Sequence, residues 1–300
     1  SYGLINVDSG NDLKLTAKDI TLNYDATTKN SAALIVNAKG NLTLASGTSI
    51  SNLSTDGDLY IDAKNINLAA NSKVLSNRGS ATMNAGESLI SNNTANLIAA
   101  KDLNLTANKD LKLLGSALQA STGSINVQST AADAQLIHVD GGTLYAGKDF
   151  NVYGTGDVSL KNLSFNLVNN ATRLKDINVY SGKNLSWDNK AKPLPKISGK
   201  VQLEAKQGLE LSGTAIHAAN GIVTQSDTLN LNSAIKSDQG IDLTTHKVMN
   251  LAQGTALTAT KDVNLASLQG NIQAQSLKVN SSQGRASIIA NENVNLNSVQ

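Results

Sequence analysis

One short motif recurs along this 300-residue chain and limits what the chain can fold into. Each copy has a small residue, then Lys, then Asp or Asn, then an apolar, a polar and a second apolar residue. Self-similarity of this kind indicates stacked structural repeats instead of one closed globular core. The copies are AKDITL (Ala17 to Leu22), AKNINL (Ala63 to Leu68), AKDLNL (Ala100 to Leu105), GKDFNV (Gly147 to Val152), GKNLSW (Gly182 to Trp187) and TKDVNL (Thr260 to Leu265).

The apolar, polar, apolar triplet also recurs outside the motif, for example at Leu42 to Leu44 and Leu111 to Leu113. Because the side chains of a strand point alternately to its two faces, both apolar residues of a triplet face one way and the polar residue faces the other. The triplets therefore predict short, half-buried strands. Their inward residues are expected to include Leu105, Leu113, Val127, Leu211, Leu231 and Leu265.

The spacing of these strands gives the length of the repeat. Leu209 is followed by Leu229, and Ile222 is followed by Ile241 and then Val263, which indicates rungs of roughly 20 residues with three short strands each. A unit this small buries its apolar side only by stacking on like units, strand beside parallel strand. The sequence predicts an all-β fold, a parallel β-helix or solenoid, which is right-handed because parallel crossovers almost always are.

Composition narrows the possible partners and sites. Lysine and arginine number 25 against 23 acidic residues, a net charge of +2, so the chain lacks the positive field that holds nucleic acid. It contains no cysteine, which excludes disulfides and thiolate metal ligands and suits passage through an oxidising periplasm before folding. No cofactor or metal site is predicted.

Neither a membrane span nor a signal peptide is predicted. The chain has no apolar run of about 18 residues, and its start lacks a basic region followed by an apolar one. It begins with Ser1 instead of methionine, and neither end has a polar cap. We therefore expect an internal fragment of a longer chain.

The repeated units resemble those of one group of bacterial exoproteins. The AKDLNL unit, the GNLTL run at Gly40 to Leu44 and the SGTAI run at Ser212 to Ile216 are similar to the haemagglutinin repeats of filamentous haemagglutinin and of the CdiA proteins of contact-dependent growth inhibition. The resemblance covers most of the chain except about residues 161–200. It implies two-partner secretion through an outer-membrane transporter to the surface of a Gram-negative bacterium.

On this resemblance, the chain is expected to be a non-enzymatic filament or receptor-binding segment of a CdiA-like toxin-delivery protein. Its partner would be a target-cell receptor, either an outer-membrane protein or a glycan. The alternative is a segment of a filamentous-haemagglutinin-type adhesin that binds host cells or surface glycans. The family's secretion domain and the CdiA toxin with its VENN motif are not among these residues, which therefore carry neither the export signal nor the toxic activity.

A remote third alternative is a β-helical polysaccharide hydrolase or lyase, because such enzymes cluster acidic residues in one groove. The candidate acids are expected in different turns with few aromatic residues beside them. They include Asp133, Asp140, Asp149 and Asp157. The histidines have no Cys or Glu partner at metal-ligand spacing, so no catalytic or metal role is predicted for them. These histidines are His138, His217 and His246.

The repeat lapses between residues 161 and 200, where both prolines and the single Trp occur. Proline in a central strand removes a hydrogen bond of the ladder, so the run WDNKAKPLPK at Trp187 to Lys196 is expected to leave the rungs as a loop. The predicted domains are β-helix repeats at 1–160, an irregular insertion at 161–200 and β-helix repeats at 201–300.

Two interpretations of this insertion remain open. It is a tolerated surface loop with Trp187 packing inward, or it is a protruding contact site whose lysines meet an acidic partner. The second interpretation rests on the aromatic and basic residues of this segment, because binding energy at an interface usually depends on a few aromatic or arginine side chains. The candidate receptor contacts are Phe165, Arg173, Tyr180, Trp187, Lys190, Lys192 and Lys196.

Overall fold

A computed structural model describes residues 5–9, 11, 13–15, 19–22, 33–54, 57–165, 174–189, 194, 196–213 and 215–298, which form strands, turns and bends without any helix. Accordingly, no helix in this part of the chain is long and apolar enough to cross a membrane. The chain divides into two compact units, Ser1–Thr155 and Gly156–Gln300. Each is built from stacked parallel strands as a β-solenoid, which confirms the predicted all-β fold.

Each rung contributes short strands that pair in parallel with those of the neighbouring rungs. The strands of the first unit are β1 (Ile5–Ser9), β2 (Leu13–Leu15), β3 (Asp19–Leu22), β4 (Leu34–Leu44), β5 (Ser49–Asn52), β6 (Leu59–Leu68), β7 (Lys73–Ser76), β8 (Ala81–Ala85), β9 (Leu89–Ser91), β10 (Asn96–Ala99), β11 (Leu103–Ala107), β12 (Leu111–Leu114), β13 (Ala117–Ala120), β14 (Ile125–Ser129), β15 (Leu136–Asp140), β16 (Thr143–Ala146) and β17 (Phe150–Gly154).

The second unit repeats the arrangement. Its strands are β18 (Asp157–Lys161), β19 (Ser164–Phe165), β20 (Ile177–Ser181), β21 (Leu185–Asp188), β22 (Lys196–Ile197), β23 (Val201–Ala205), β24 (Gly208–Ser212), β25 (Ile216–Ala218), β26 (Ile222–Asn232), β27 (Ala234–Ser237), β28 (Ile241–Leu251), β29 (Ala256–Ala259), β30 (Val263–Ser267), β31 (Ile272–Gln275), β32 (Lys278–Ser281), β33 (Ala286–Ala290) and β34 (Val294–Asn297).

Side chains on the same position of successive rungs show the rung length directly. Asn104 and Asn126 are hydrogen-bonded neighbours 22 residues apart, and Asn126 and Asn151 are 25 apart. In the second unit Asn230 and Asn250 are 20 apart. The rungs therefore vary around the predicted length, because turns of different size connect strands of similar register.

The core is a column of aliphatic side chains inside each unit. On β11, Leu103 and Leu105 stand beside Ile125 and Val127 of β14, in register. The six leucine and valine residues predicted to face inward are all at most 1% exposed, which confirms the triplet pattern. Each such side chain contributes about 1.5–3 kcal/mol by leaving water.

Small residues face the interior at one corner of each rung. At this corner the chain bends, either inside a long first strand or directly after a shorter one. Ala38, Ala63, Ala85, Ala107 and Ser129 are register partners on successive rungs. All five are buried. A larger side chain would overfill the narrow inner angle of the bend, so this column sets where one strand face ends and the next begins.

The interval 161–200 is more regular than the lapse in the motif indicates. β20 pairs with β23 and β21 pairs with β24, in the same parallel register as the other rungs. The ladder continues because Ile177, Val179, Leu185 and Trp187 keep the period-two pattern that strand pairing requires. The predicted loop therefore excludes Trp187 and Asp188, which lie in β21, and Lys196, which lies in β22. Residues 190–193 and 195 lie outside the described residues.

Candidate functional site

The acidic residue of the repeated motif caps the rung that follows it. Asp102 Oδ1 accepts a hydrogen bond from the backbone N–H of Ser124 over 2.8 Å. Asp58, which precedes the first strand of its rung but is outside the six copies of the motif, accepts one from Ser80 N–H over 2.7 Å. The serine hydroxyls link these rungs to the next ones. Ser80 Oγ accepts a hydrogen bond from Asp102 N–H over 3.4 Å, and Ser124 Oγ accepts one from Asp149 N–H over 3.3 Å. We call Asp58, Ser80, Asp102, Ser124 and Asp149 the Asp/Ser ladder; it fixes one corner of the first unit.

Other copies of the motif cap in the same way, at a second corner of the first unit and in the second unit. Asn65 Oδ1 accepts the N–H of Ser88 over 3.0 Å, and Asp262 Oδ1 accepts the N–H of Arg285 over 2.8 Å. These bonds satisfy backbone donors at bends, where the strand ladder leaves them without a partner. The motif therefore encodes a connection between rungs, in addition to a turn within one rung.

An open groove of about 630 Å³ follows the corner of the first unit. Its floor includes the small residues Ala38, Ala63, Ala85 and Gly86. Its two walls carry polar side chains from successive rungs. One wall is formed by Asn37, Asp62, Asn84 and Thr106, and the other by Lys39, Lys64, Glu87 and Asn108. We call this feature the corner groove.

The polar groups of the corner groove are partly paired with one another. Asn84 Nδ2 donates to Asp62 Oδ1 over 2.8 Å, and Lys64 Nζ lies 3.7 Å from Glu87 Oε1. The Lys64 and Glu87 side chains are 56% and 39% exposed, so their ion pair contributes at most about 1 kcal/mol to stability. These side chains are therefore available to exchange partners with a ligand at little cost to the fold.

Two exposed tyrosines share the strand face that forms the first wall. Tyr60 precedes Asp62 by two positions on β6, and Tyr153 is the register partner of Gln128. They are 37% and 46% exposed. Tyr60 Oη donates a hydrogen bond to Asp58 Oδ2 over 3.1 Å. This bond raises the pKa of Tyr60 above 10.0, because deprotonation would break the bond and place a phenolate beside the Asp58 carboxylate.

A second, smaller groove of about 340 Å³ lies in the second unit, and five of its eleven lining residues have amide side chains. Asn250 Nδ2 donates to Asn230 Oδ1 across rungs over 2.9 Å. Asn232, Gln273 and Gln275 line the same groove. Like the corner groove, it offers hydrogen-bonding groups that recur at the spacing of the rungs.

The predicted receptor contacts are placed differently by the structure. Trp187 is fully buried, in register with Leu211, so it is a core residue and not a surface anchor; the interpretation in which it packs inward is the correct one for this residue. Phe165 and Tyr180 are partly buried, and Lys196 is exposed. Arg173, Lys190 and Lys192 lie outside the described residues.

Lys196 takes part in a charged cluster that the sequence did not reveal. Its Nζ lies 2.5 Å from Asp238 Oδ2, and His217 Nε2 lies 2.9 Å from Asp238 Oδ1. The hydrogen bonds from Lys196 and then His217 lower the pKa of Asp238 below 3.8. Two rungs separate Lys196 from Asp238, so only the register of β22, β25 and β27 brings them together.

The other histidines also approach aspartates instead of one another. His246 Nδ1 lies 3.5 Å from Asp227 Oδ1, and Lys247 Nζ lies 2.7 Å from Asp227 Oδ2, which lowers the pKa of that carboxyl below 3.8. His138 Nε2 is 3.9 Å from Asp140 Oδ2. No group of three or more His, Asp or Glu side chains in the described part of the chain is arranged to hold a metal ion.

The fold and the grooves define a class of protein, a repetitive parallel β-solenoid that presents hydrogen-bonding surfaces to solvent. Residues 5–136, which make up most of the first unit, match the family model of the hemagglutinin repeat. This match supports a protein of the filamentous-haemagglutinin type. Proteins with this repeat are secreted or cell-surface, adhesin-type substrates of two-partner secretion. Comparison with curated proteins and with solved structures finds no match.

Proposed function

We propose that this chain is a non-enzymatic segment of a large filamentous-haemagglutinin-type exoprotein, exported by two-partner secretion and displayed on a Gram-negative bacterium to contact other cells. The observation that carries the proposal is the match of residues 5–136 to the hemagglutinin repeat, together with a fold made of the same stacked rungs. A stack of rungs extends by adding copies of one unit, which suits a protein that presents binding groups away from the cell surface.

Within this function, we favour a CdiA-like protein that delivers a toxin on contact over an adhesin that binds host cells. The two differ in the C-terminal part of the whole protein. Co-culture of bacteria that display the whole protein with unarmed target bacteria separates them. The CdiA-like function predicts growth inhibition of the targets and rescue by an immunity gene beside the structural gene, whereas attachment without inhibition supports the adhesin.

The contact site proposed for either function is the solvent-facing part of the interval 161–200. Lys196 supports it, since this side chain is 48% exposed although it is paired with Asp238. An acidic receptor could replace that pairing at small cost, because exposed ion pairs contribute little to stability. Attraction to an acidic partner also falls with salt, so binding should weaken as ionic strength rises.

The test is the binding of labelled protein to target cells. We expect replacement of the six candidates other than Trp187 with Ala to weaken binding at least about tenfold at a temperature where circular dichroism shows the variant to be folded. The matched control replaces the exposed lysines Lys236, Lys261 and Lys278 of later rungs. Equal binding by the sixfold variant and the intact protein, or equal losses in both variants, would contradict this contact site.

A further inference from the structure

We propose that the corner groove of the first unit binds an extended, uncharged polysaccharide with about one sugar per rung. This inference goes beyond the proposed function, whose contact residues lie in the second unit. It rests on the concavity of the groove, on the repetition of its polar groups and on its balance of charge. A concave site with a few convergent polar groups is a natural place to seek a ligand.

The repetition of the groove fits a linear polymer. Asn37, Asp62, Asn84 and Thr106 are register partners on four consecutive rungs, so their side chains recur at the strand spacing of about 4.8 Å. One sugar in an extended polysaccharide advances the chain by a similar distance. Each sugar would therefore contact a set of groups like the set that the previous sugar contacts. A globular ligand or a folded peptide has no such repeat and would not match the groove in this way.

The chemistry of the groove fits hydroxyl groups, which donate and accept hydrogen bonds. The bond from Asn84 to Asp62 uses one amide hydrogen and one carboxylate oxygen. Each side chain thus keeps further donor or acceptor capacity. The carbonyl and carboxylate groups accept from sugar hydroxyls, whereas Lys39 and Lys64 on the opposite wall donate. Both walls are lined by such groups over the length of the groove.

The balance of charge favours an uncharged polymer over a polyanion. The lining residues include two lysines, Lys39 and Lys64, and two acids, Asp62 and Glu87. With no net charge, the groove gives no electrostatic attraction to a sulfated or uronic-acid chain. The floor alanines Ala38, Ala63 and Ala85 are buried, so their side chains do not stand between the two rows of polar side chains.

Tyr60 and Tyr153 supply the apolar surface that sugar rings pack against. Both lie on the strand face that forms the first wall, and both expose more than a third of their surface. An aromatic side chain combines a large apolar face with a polar tip, which suits a ligand whose ring faces are apolar and whose edges are polar. They would extend the binding surface beyond the groove itself.

The experiment uses the 300-residue chain and a panel of immobilised linear oligosaccharides of two to eight sugars. The uncharged probes are β-1,4-glucan, β-1,4-N-acetylglucosamine and α-1,4-glucan series; the anionic probes are sulfated and uronic-acid series. The test variant is Asp62→Ala with Asn84→Ala. The control variant is Asp242→Ala with Asn264→Ala, which removes a similar pair in the second unit, where Asn264 Nδ2 donates to Asp242 Oδ1 over 2.6 Å.

We expect at least one uncharged series to bind, with affinity that rises from two sugars to about four as the rungs of the groove are filled. The test variant should bind at least about tenfold more weakly, and the control variant as well as the intact protein, with unchanged circular dichroism. A Tyr60→Ala variant should also weaken binding, whereas Tyr60→Phe should retain it.

Three outcomes would overturn the proposal: binding to no uncharged series, binding that does not depend on length, or the same affinity in the test and control variants. Selective binding of the anionic series would also overturn it, because it would require a positive site elsewhere. A failure here is distinct from a failure of the proposed function. Cell contact is measured with variants in the second unit, and those variants leave the corner groove intact.

Discussion

Asp102→Ala tests the capping of one rung by the previous one. The substitution removes the hydrogen bond that Ser124 N–H donates to Asp102 Oδ1 over 2.8 Å. A hydrogen bond to a charged group contributes about 1.5–3 kcal/mol, so the free energy of unfolding of the first unit should fall by that amount. At about 2–4 °C per kcal/mol for a unit of this size, the unfolding temperature should fall by about 3–12 °C.

Two matched variants isolate this bond. Asp102→Asn keeps an oxygen at the same position and should cost less than about 1 kcal/mol, the range of a neutral hydrogen bond. Asp133→Ala removes an exposed aspartate of the same unit and should change stability by no more than about 0.5 kcal/mol.

The assay combines urea unfolding, followed by circular dichroism, with hydrogen exchange of individual amides. Exchange of Ser124 N–H should accelerate in Asp102→Ala by the factor that corresponds to the lost free energy, while amides in the second unit keep their rates. Because stacked repeats can unfold in parts, the local exchange rate decides the result. If Asp102→Ala behaved like Asp133→Ala in both measurements, rung capping by this side chain would be refuted.

Three further predictions concern packing and charge. Leu105→Asp buries an unpaired charge and should lower stability by several kcal/mol, whereas the outward Asn104→Asp should be tolerated, as thermal unfolding of the two variants will show. Gly123→Ala should destabilise the first unit by about 1–3 kcal/mol in urea unfolding, because its Cβ would lie 2.7 Å from the carbonyl carbon of Lys101. Lys196→Ala should return the pKa of Asp238 toward 3.8 in an NMR titration of the carboxyl carbon; the ion pair stabilises the fold above that pH, and its contribution is lost as the pH falls through the lowered pKa.

The strands and the core were predictable because they depend on local alternation. A triplet such as Leu103 to Leu105 shows which side chains share a face without any knowledge of its neighbours. The inward-facing side chains of the triplets in both units could therefore be predicted from the amino-acid sequence alone. The right-handed winding of the rungs stays a prediction that rests on the general preference of parallel crossovers.

The contacts between rungs were not predictable, because they depend on register. Asp102 is a conspicuous part of the AKDLNL copy, but nothing local shows that its carboxylate accepts a hydrogen bond from Ser124 in the next rung. Lys196 meets Asp238 and Asp62 meets Asn84 only because turns of unequal length still bring these strands into register. A small residue that begins a bend, directly after an Asp or Asn, is the one local signal that points to the wall of the corner groove.

A lapse in a sequence motif was a weak guide to structure. Between residues 161 and 200 the recognisable copies thin out, but Leu185 and Trp187 still alternate with Ser186 and Asp188 and pair with β24. The single Trp of the chain was a candidate anchor because recognition sites favour aromatic residues. Its side chain fills the core instead, as the burial of so large an apolar surface favours.

Cysteine cross-linking across rungs tests the central claim most directly, namely that stacked, in-register rungs build the surfaces described above. The chain contains no cysteine, so an introduced pair has no competitor. Asn104→Cys with Asn126→Cys places two thiols on register partners, at a separation of about 5 Å that suits a disulfide. Asn104→Cys with Gln128→Cys shifts the second thiol by two positions along the same face, to about 8 Å, beyond disulfide reach. The account predicts rapid intramolecular disulfide formation in the first pair alone; cross-linking of the shifted pair instead, or of both pairs equally, would contradict it.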